Sequence, residues 1–492
     1  MEVIVENFLD DYINKLYERQ NIGAGYDQKN LFSKRDYYLI LKDVVDVLKE
    51  NKDASIQEMR DLLYQKSGIE ESVRNYFLQK KSVSGAVFSF GTPQYQETIV
   101  VGNKEEVSLK NGVISPSISE MQDDTIFDLA SVTKIFTSLS IMKLLELGLI
   151  NLQDEILKYD NRFKNLKGVT IYDLLCFNVL LKTSSRIDMA NSKEEAEDLL
   201  FNIEIDYDNK NLNPYTDMGV MILKYIIEKV SGVSYYDFLD KTFLSKYNMK
   251  DTHFIVPNYK LNRVASNNFD SKVMKDGSII TNTDNYKGIV YDKKAQILGQ
   301  ANGLLTGHAG LFSSASDMTT LMRKLIQGEV MNDENLTEFA KNRQGRSYIN
   351  DLGEKKYVQY FGYMTYSKHP ILDYSEVFHA LSGKSFAGAG WTGTQMTVDP
   401  INELYFFLGS NRAHNRLTFV DSSQKDKIID VNGQKGIIMP DGSFKIDARD
   451  FAYKRDEVIV HPTMKLLLQY KMLEDILDLS KEKKENVTRV VR

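Results

Sequence analysis

Strand-forming segments occur near both ends of this chain, and a long helical segment lies between them. The strand-forming segments are residues 83–90, 98–101, 357–366, 390–398 and 403–408. The intervening residues, from about 126 to 350, have the spacing and composition of helices and loops. We therefore expect both ends of the chain to build one sheet. The sequence predicts an α+β fold, an α/β sandwich in which an antiparallel sheet is flanked by helices and carries an inserted helical domain.

Helical segments also lie outside this body. Residues 1–80 carry apolar residues at helical spacing, and Ser33 and Ser55 begin capping signals. They predict an N-terminal helical appendage, which we expect to dock on the main domain, residues 81–492, without contributing a catalytic residue. A module that binds a partner or a second copy of the chain is the alternative. A closing helix is expected over residues 462–479 and is assigned to the main domain. The sheet of that domain is expected from residues 82–102 and 357–411.

The composition excludes several classes of protein. The 492 residues include 62 Lys and Arg and 68 Asp and Glu. The resulting net charge of −6 does not suggest a nucleic-acid binder. The single cysteine, Cys176, excludes an intrachain disulfide and a cysteine-cluster metal site, and we expect neither a metal nor another cofactor. No Gly-x-Ser-x-Gly, His-Glu-x-x-His or P-loop sequence occurs, which argues against three other enzyme classes.

The sequence gives two further expectations about location. No apolar run approaches the ~18 residues that a membrane-spanning helix needs. The acidic start of the chain is unlike a secretory signal. We expect a cytoplasmic protein, or an exported one whose leader is absent from this sequence, and the oligomeric state stays open.

The stretch from Ser131 to Lys134 carries the strongest chemical signal. The two residues are three apart at the start of a mostly apolar run, so a helix would place both side chains on one face. A serine hydroxyl becomes an effective nucleophile when a base takes its proton, and a lysine of lowered pKa can be that base. Burial and the positive end of the helix dipole would both lower the pKa of Lys134. We therefore expect a neutral, basic Lys134 beside a nucleophilic Ser131.

The same spacing occurs at two other places, Ser422 with Lys425 and Ser480 with Lys483. Both pairs lie in polar, charged surroundings, and we interpret them as solvated surface. Ser131 differs from them because it begins an apolar helix.

Three further stretches are candidates for the same site, and each has a plain structural alternative. Tyr215 and Asp217 come directly before an apolar helix, a pattern that a half-buried core tyrosine would share. His308 is flanked by small residues, which also suits a histidine that only stabilises a tight turn. Residues 388–394 form a glycine-rich strand, and glycine within a strand often marks the close approach of a ligand or of another backbone.

Taken in order, these motifs resemble the serine β-lactamase and penicillin-binding-protein superfamily, on its class C and esterase-like side. That family has a Ser-x-x-Lys at the head of a buried helix, then a Tyr-x-Asn or Tyr-Ser-Asp motif. A His-Ala-Gly-Leu-Phe-Ser stretch often follows, and then a Lys-Thr-Gly or His-Thr-Gly strand. The matching stretches here are Ser131 to Lys134, Tyr215 to Asp217, His308 to Ser313, and Gly388 to Gly390. The resemblance covers about residues 82–415 and the closing helix.

The resemblance implies a β-lactamase-like serine hydrolase that works by acyl transfer. Lys134, aided by Tyr215, would take the proton of Ser131, which attacks the carbonyl of an ester, amide or D-amino-acid peptide. The oxyanion hole is expected from the backbone N–H groups of Ser131 and Trp391. The expected partner is thus a small-molecule or peptide acyl substrate. The residues expected to bind it are Asp217, His308, Gly390 and Trp391.

The third motif departs from the family pattern. Gly388 stands where the family has Lys or His, and Ala389 stands where it has Thr or Ser. In the family that cation holds a substrate carboxylate and tunes the catalytic bases, so its absence argues against efficient binding of penicillins. Lys384 is too far away to replace it, about 13 Å along a strand, and Arg412 stays open as a source of charge. A catalytically weak or inactive binding protein on the penicillin-binding fold is therefore the alternative.

Overall fold

A computed structural model describes most of the chain, which divides into two compact units. The described residues are 2–19, 32–207, 215–284, 287–349, 355–368, 376–377, 381–449 and 457–490. The helical unit consists of residues 1–76, 378–383 and 452–492, and the sheet unit consists of residues 77–377 and 384–451.

The described helices are α1 (Glu2–Arg19), α2 (Lys34–Glu50), α3 (Ile56–Ser67), α4 (Ile69–Lys80), α5 (Thr133–Glu146), α6 (Ile171–Leu175), α7 (Lys193–Phe201), α8 (Asp217–Ser231), α9 (Tyr235–Leu239), α10 (Lys293–Leu298), α11 (Ala315–Ile326), α12 (Asp333–Ala340) and α13 (Glu457–Val490). The described strands are β1 (Gly85–Gly91), β2 (Gln96–Lys110), β3 (Val113–Glu120), β4 (Ile126–Asp128), β5 (Leu181–Lys182), β6 (Glu204–Ile205), β7 (Ser271–Val273), β8 (Ile279–Thr281), β9 (Phe312–Ser314), β10 (Gln344–Ile349), β11 (Lys355–Phe361), β12 (Tyr366–Ser367), β13 (Phe386–Ala389), β14 (Gln395–Asp399), β15 (Leu404–Ser410), β16 (Leu417–Val420), β17 (Ile429–Val431), β18 (Gln434–Ile438) and β19 (Phe444–Ile446).

The helical unit joins the two ends of the chain. Ser33 and Ser55 begin α2 and α3 as capping boxes, in which the side chain accepts a backbone N–H and the third helical residue returns a carboxylate. Helix α13 packs on α2 and α3, and within this contact Arg60 forms an ion pair with Glu474. Among the described helices, none is both long enough and apolar enough to cross a lipid bilayer.

The last helix differs from the expectation in two ways. The sequence predicts that residues 462–479 belong to the main domain, but the structure groups α13 with the N-terminal helices because its apolar face packs on α2 and α3. The helix also begins at Glu457, before the expected start at Pro462. Proline removes one backbone hydrogen bond, and here it falls near the start of a 34-residue helix, where one lost bond does not stop the helix.

The sheet unit confirms the predicted fold class. Its main sheet has the strand order β10-β11-β12-β13-β14-β15-β1-β2-β3, and every described pairing in it is antiparallel. Strand β1 lies between β2 and β15, so the early and late segments of the chain meet in one sheet. The residues between these strands supply α5 to α12, which form the inserted helical part, while α11 packs on β1, β14 and β15.

Helix α5 is the central helix of this unit. Eleven of its fourteen residues are buried, including Lys134 and the apolar Ile135 and Phe136. A helix with apolar residues on all sides belongs in a core. Helix α8 packs against it, and nine of its residues are buried too. The starts of α5 and α8 thereby bring Ser131 and Asp217 to the same place.

Candidate active site

A sharp turn places Ser131 between β4 and α5. Ala130, the residue before it, has a φ of +44°, a left-handed conformation that is unusual for a residue with a Cβ. The carboxylate of Asp128 holds this turn, accepting the N–H of Ala130 at 2.9 Å and that of Tyr291 at 2.7 Å. Burial raises the pKa of Asp128 to about 6. Ser131 is thus half-buried on the wall of a cavity of about 560 Å³.

The Lys134 ammonium lies one turn further along and contacts four groups. Its Nζ donates to Ser131 Oγ at 2.7 Å and to the carbonyl oxygen of His308 at 3.1 Å. It also lies 2.8 Å from Asp217 Oδ1. The Tyr215 hydroxyl is a fourth hydrogen-bonding neighbour, one more than the three N–H donors of an ammonium. The structure therefore brings together five residues: Ser131, Lys134, Tyr215, Asp217 and His308.

The protonation expected for Lys134 is corrected by this geometry. Burial alone would lower the pKa of Lys134, and the expectation of a neutral amine rests on that effect. The Asp217 carboxylate reverses it, and together with the Tyr215 hydroxyl it holds the pKa of Lys134 above its ordinary value. The same ion pair keeps the pKa of Asp217 far below its usual range although burial opposes this. Lys134 is therefore a cation in the resting site.

Tyr215 lies beside this ion pair. Its ring packs among Phe177 at 5.1 Å, Phe361 at 5.8 Å and Tyr366 at 6.4 Å between ring centroids. The Lys134 Nζ is 5.0 Å from the centroid of the Tyr215 ring. The tyrosine is thus partly buried against the core, and its hydroxyl forms a hydrogen bond with Lys134.

His308 is a buried residue, and two of its atoms contact charged groups of the site. Its carbonyl oxygen accepts from Lys134, as described, and its ring Nε2 lies 3.0 Å from Asp292 Oδ1. The ring Nδ1 is buried and has no hydrogen-bond partner among the described residues. The ring is 1% exposed, so the geometry favours a role in holding the charged groups over direct contact with a substrate.

Hydrogen bonds join the glycine-rich segment to the turn that carries Ser131. Thr392 Oγ1 donates to the carbonyl of Asp128 at 2.7 Å, and Thr394 Oγ1 donates to the carbonyl of Leu129 at 3.0 Å. Gly390 N–H donates to the carbonyl of Thr394 at 2.7 Å and closes the turn that contains Trp391. These bonds hold the backbone of Trp391 at the cavity that Ser131 also lines.

Trp391 forms a flat apolar part of the cavity wall. Its side chain is 39% exposed and stacks on Tyr291 with ring centroids 4.4 Å apart. The Arg412 guanidinium lies 5.4 Å from the Trp391 ring and donates to the Trp391 carbonyl at 3.0 Å. Arg412, left open as a source of charge, thus stabilises the position of Trp391.

The position of Gly388 is closed to a side chain. A Cβ built there would lie 2.9 Å from Ile135 Cγ1, which already occupies the space. Helix α5 therefore fills the place that a third-motif cation would need. Lys384 is oriented elsewhere, with its Nζ 3.4 Å from Thr337 Oγ1.

Two charged residues of the site carried no recognisable sequence signal. Asp292 caps the six-residue helix α10, and Lys294 follows two residues later. Lys294 Nζ lies 3.0 Å from Asp292 Oδ2 and 3.3 Å from Asp217 Oδ2. Short polar stretches of this kind are common at the surface, so only the folded chain shows that this one faces α8.

The carboxylates at this site are neutralised by lysines. Donor atoms of Asp217, Asp292 and His308 lie within 4.8 Å of one another, close enough in principle for a shared metal ion. However, the ammonium of Lys294 contacts both carboxylates, and that of Lys134 contacts Asp217. We therefore assign three of the four carboxylate oxygens to the two lysines and the fourth, Asp292 Oδ1, to the ring of His308.

Comparisons with known proteins concern the family and the fold of the chain. A family model described as Beta-lactamase matches residues 86–427. A Salmonella gallinarum protein, provisionally named D-alanyl-D-alanine carboxypeptidase, is 26% identical over 323 residues, which cover 59% of this chain and 70% of the relative. The D-amino acid amidase of Ochrobactrum anthropi SV3 superposes with a TM-score of 0.52 at 14% identity, covering 82% of this chain and 99% of that one. Unliganded simvastatin synthase from Aspergillus terreus gives a TM-score of 0.52 at 14% identity, covering 70% and 92%.

The fold and the family match define a serine hydrolase of the β-lactamase and penicillin-binding type. The chain belongs to the Beta-lactamase family, and the resemblance inferred from its motifs is confirmed.

Proposed function

We propose that this protein hydrolyses an ester, amide or D-amino-acid peptide through an acyl-enzyme on Ser131. The observation that carries the proposal is the 2.7 Å contact between Ser131 Oγ and Lys134 Nζ, at the head of a buried helix and on the wall of a cavity. A nucleophile in contact with a base that is itself held by a third group is the arrangement that nucleophilic catalysis requires. Asp217 is that third group here.

The protonation of Lys134 controls the first step. In the resting site the ammonium donates to Ser131, so it must lose a proton before it can accept one. The neutral amine then takes the Ser131 proton while Oγ attacks the substrate carbonyl. Tyr215, beside Lys134, returns a proton to the leaving group as the acyl-enzyme forms. Water then attacks the acyl-enzyme with the same groups acting in reverse and frees Ser131.

Two backbone donors support the developing negative charge. The N–H groups of Ser131 and Trp391 are the proposed oxyanion hole, and the hydrogen bonds from Thr392 and Thr394 keep the two turns together. Removal of one such donor typically costs about 100- to 1,000-fold in turnover. The exposed Trp391 ring beside them offers an apolar surface to the acyl or leaving group.

Gly390→Ala should therefore remove activity. A Cβ at Gly390 would lie 2.2 Å from Thr394 Oγ1 and 2.5 Å from the carbonyl oxygen of Leu129, too close for any real contact. The turn must shift and carry the Trp391 N–H with it, so we expect the acylation rate to fall at least about 100-fold. Gly219→Ala is the matched control, since its Cβ would have its nearest neighbour at 3.5 Å. Equal acylation rates in the two variants would contradict the oxyanion role of this turn.

The substrate is expected to be neutral near the glycine-rich strand. Gly388 offers no cation to hold a carboxylate there, and Ile135 prevents a side chain from entering. We expect kcat/KM for a small neutral ester such as p-nitrophenyl acetate to exceed the acylation rate constant for benzylpenicillin. Stopped-flow kinetics with both compounds checks this. Rapid, stoichiometric acylation by benzylpenicillin would show that another group holds its carboxylate.

The name of the Salmonella relative suggests a peptide bond as the natural target, whereas the missing cation argues against a free terminal carboxylate. We therefore place esters and amides of neutral acyl groups first among the substrates. A panel of such esters, amides and D-amino-acid peptides, with fluorophosphonate labelling of the active serine, tests the proposal. No hydrolysis of any member, together with no labelling, would contradict it.

A catalytically inactive binding protein is the second candidate. Two observations favour it: Gly388 lacks a cation, and Lys134 is held as an ammonium. The labelling experiment separates the candidates, since a binding protein would retain a ligand in the cavity without forming an adduct on Ser131.

We further propose that the helical unit contributes no catalytic residue. Every residue assigned a role above lies between residues 77 and 451, within the sheet unit.

A further inference from the structure

The site contains a second ammonium group, which the mechanism above does not use. Lys294 extends from α10 with 22% of its side chain exposed, and it lines the same cavity as Ser131. Its Nζ lies 3.3 Å from Asp217 Oδ2, whereas Lys134 Nζ lies 2.8 Å from Asp217 Oδ1. One carboxylate therefore serves two lysines, one oxygen for each.

The same contacts close a ring of charged and polar groups. Lys294 also contacts Asp292 Oδ2 at 3.0 Å, and Asp292 Oδ1 lies 3.0 Å from the ring of His308. The carbonyl of His308 returns to Lys134 at 3.1 Å. A change of charge at one lysine therefore changes the electrostatic environment of the other, through Asp217 and through Asp292 with His308.

We infer that Lys294 is a positioning residue that shares Asp217 with Lys134 and so weakens the hold of this carboxylate on the Lys134 proton. This inference rests on the proposed function. It also accounts for the departure at the third motif, because the strand position of Gly388 is filled by Ile135 and cannot carry a cation. The second cation of the site then comes from α10 instead of the strand.

The direction of the effect follows from Coulomb's law. With Lys294 in place, two cations balance the two carboxylates of Asp217 and Asp292. Without it, both carboxylates act on Lys134 alone, and the repulsion between the two ammonium groups is lost. Both changes favour the charged form of Lys134. A base that holds its proton more tightly is available only at higher pH.

Other charged groups near Lys294 contact groups other than the shared carboxylate. Asp188 lines the cavity and forms an ion pair with Arg186. Lys293, next to Lys294 on the same helix, is exposed, lines the same cavity and donates to Gln296 at 3.2 Å. Asp128 is buried and engaged with backbone N–H groups. Lys293 therefore provides a matched control of equal charge.

The test compares Lys294→Met, Lys294→Arg and Lys293→Met with the unaltered protein. The pre-steady-state acylation rate with p-nitrophenyl acetate is measured between pH 6 and 10. For Lys294→Met we expect the rising limb to move upward by at least about one pH unit, which is about tenfold in rate at a fixed pH below the midpoint. Lys294→Arg should restore most of the original profile, and Lys293→Met should leave it unchanged.

A uniform loss of rate at all pH values in Lys294→Met, or a profile equal to the unaltered one, would overturn the inference. So would an equal shift in Lys293→Met. Thermal unfolding of each variant shows whether it is folded.

A second readout does not depend on catalysis. The ¹³Cε resonance of Lys134, assigned with a Lys134→Arg spectrum, reports its protonation directly. A higher titration midpoint in Lys294→Met supports the inference even if no substrate is turned over, whereas an unchanged midpoint contradicts it. Failure of the proposed function alone would appear as absent acylation in the unaltered protein.

Discussion

Ser131→Ala is expected to reduce hydrolysis of every substrate of this protein by at least about 1,000-fold and to abolish fluorophosphonate labelling. The substitution removes the atom to which the acyl group would bond, and loss of a catalytic serine generally costs several orders of magnitude. The fold should survive, because Ser131 is half-buried on a cavity wall and the turn is held by Asp128. Activity and labelling are measured beside thermal unfolding.

The chain offers a matched control for this variant. Ser422 begins another Ser-x-x-Lys sequence, which ends at Lys425, and the structure places Ser422 in an exposed turn. Ser422→Ala should keep full activity. Hydrolysis that persists in Ser131→Ala would assign the reaction to a different nucleophile.

Asp217→Asn should move the pH dependence of acylation in the opposite direction to Lys294→Met. The Asp217 carboxylate lies 2.8 Å from Lys134 and raises its pKa, so the neutral amine becomes available only as the pH rises toward that value. An amide at the same place can still accept a hydrogen bond but carries no charge. An opposite charge this close typically shifts a pKa by about one to three units. The rising limb should therefore move down by about that amount, with about a tenfold gain in rate per unit at neutral pH.

The measurement is again the acylation rate as a function of pH. The control is Asp292→Asn, which removes a carboxylate that contacts Lys294 rather than Lys134, and its effect should be smaller. If Asp217→Asn moves the limb upward, or leaves it in place, the charge of Asp217 does not govern Lys134.

The candidate site could be predicted from the sequence because its motifs are local. Ser131 and Lys134 are one helical turn apart, so the pattern alone places both side chains on one face. The strand segments at residues 83–90 and 403–408 could likewise be paired by composition and order, and β1 and β15 are adjacent in the sheet.

The charge of Lys134 could not be predicted in this way, because it depends on a tertiary contact. Burial and helix position could be inferred from the sequence, and both favour a neutral amine. The Asp217 carboxylate of α8, together with the Tyr215 hydroxyl, outweighs them and raises the pKa of Lys134. The contribution of Lys294 was hidden for the same reason, since residues 217 and 294 meet only in the folded chain. The assignment of α13 failed because an amphipathic pattern shows that a helix has an apolar face but not which partner covers it.

Measuring the mass of the protein during turnover tests directly whether an acyl-enzyme forms on Ser131. The protein is mixed with an excess of p-nitrophenyl acetate, quenched in acid within the first turnovers, digested and analysed by mass spectrometry. We predict an acetyl adduct on the peptide that contains Ser131, which disappears as the substrate is exhausted and is missing in Ser131→Ala. Enzymatic release of p-nitrophenol by the unaltered protein with no adduct on Ser131, or with the adduct on another residue, would contradict an acyl-enzyme on Ser131.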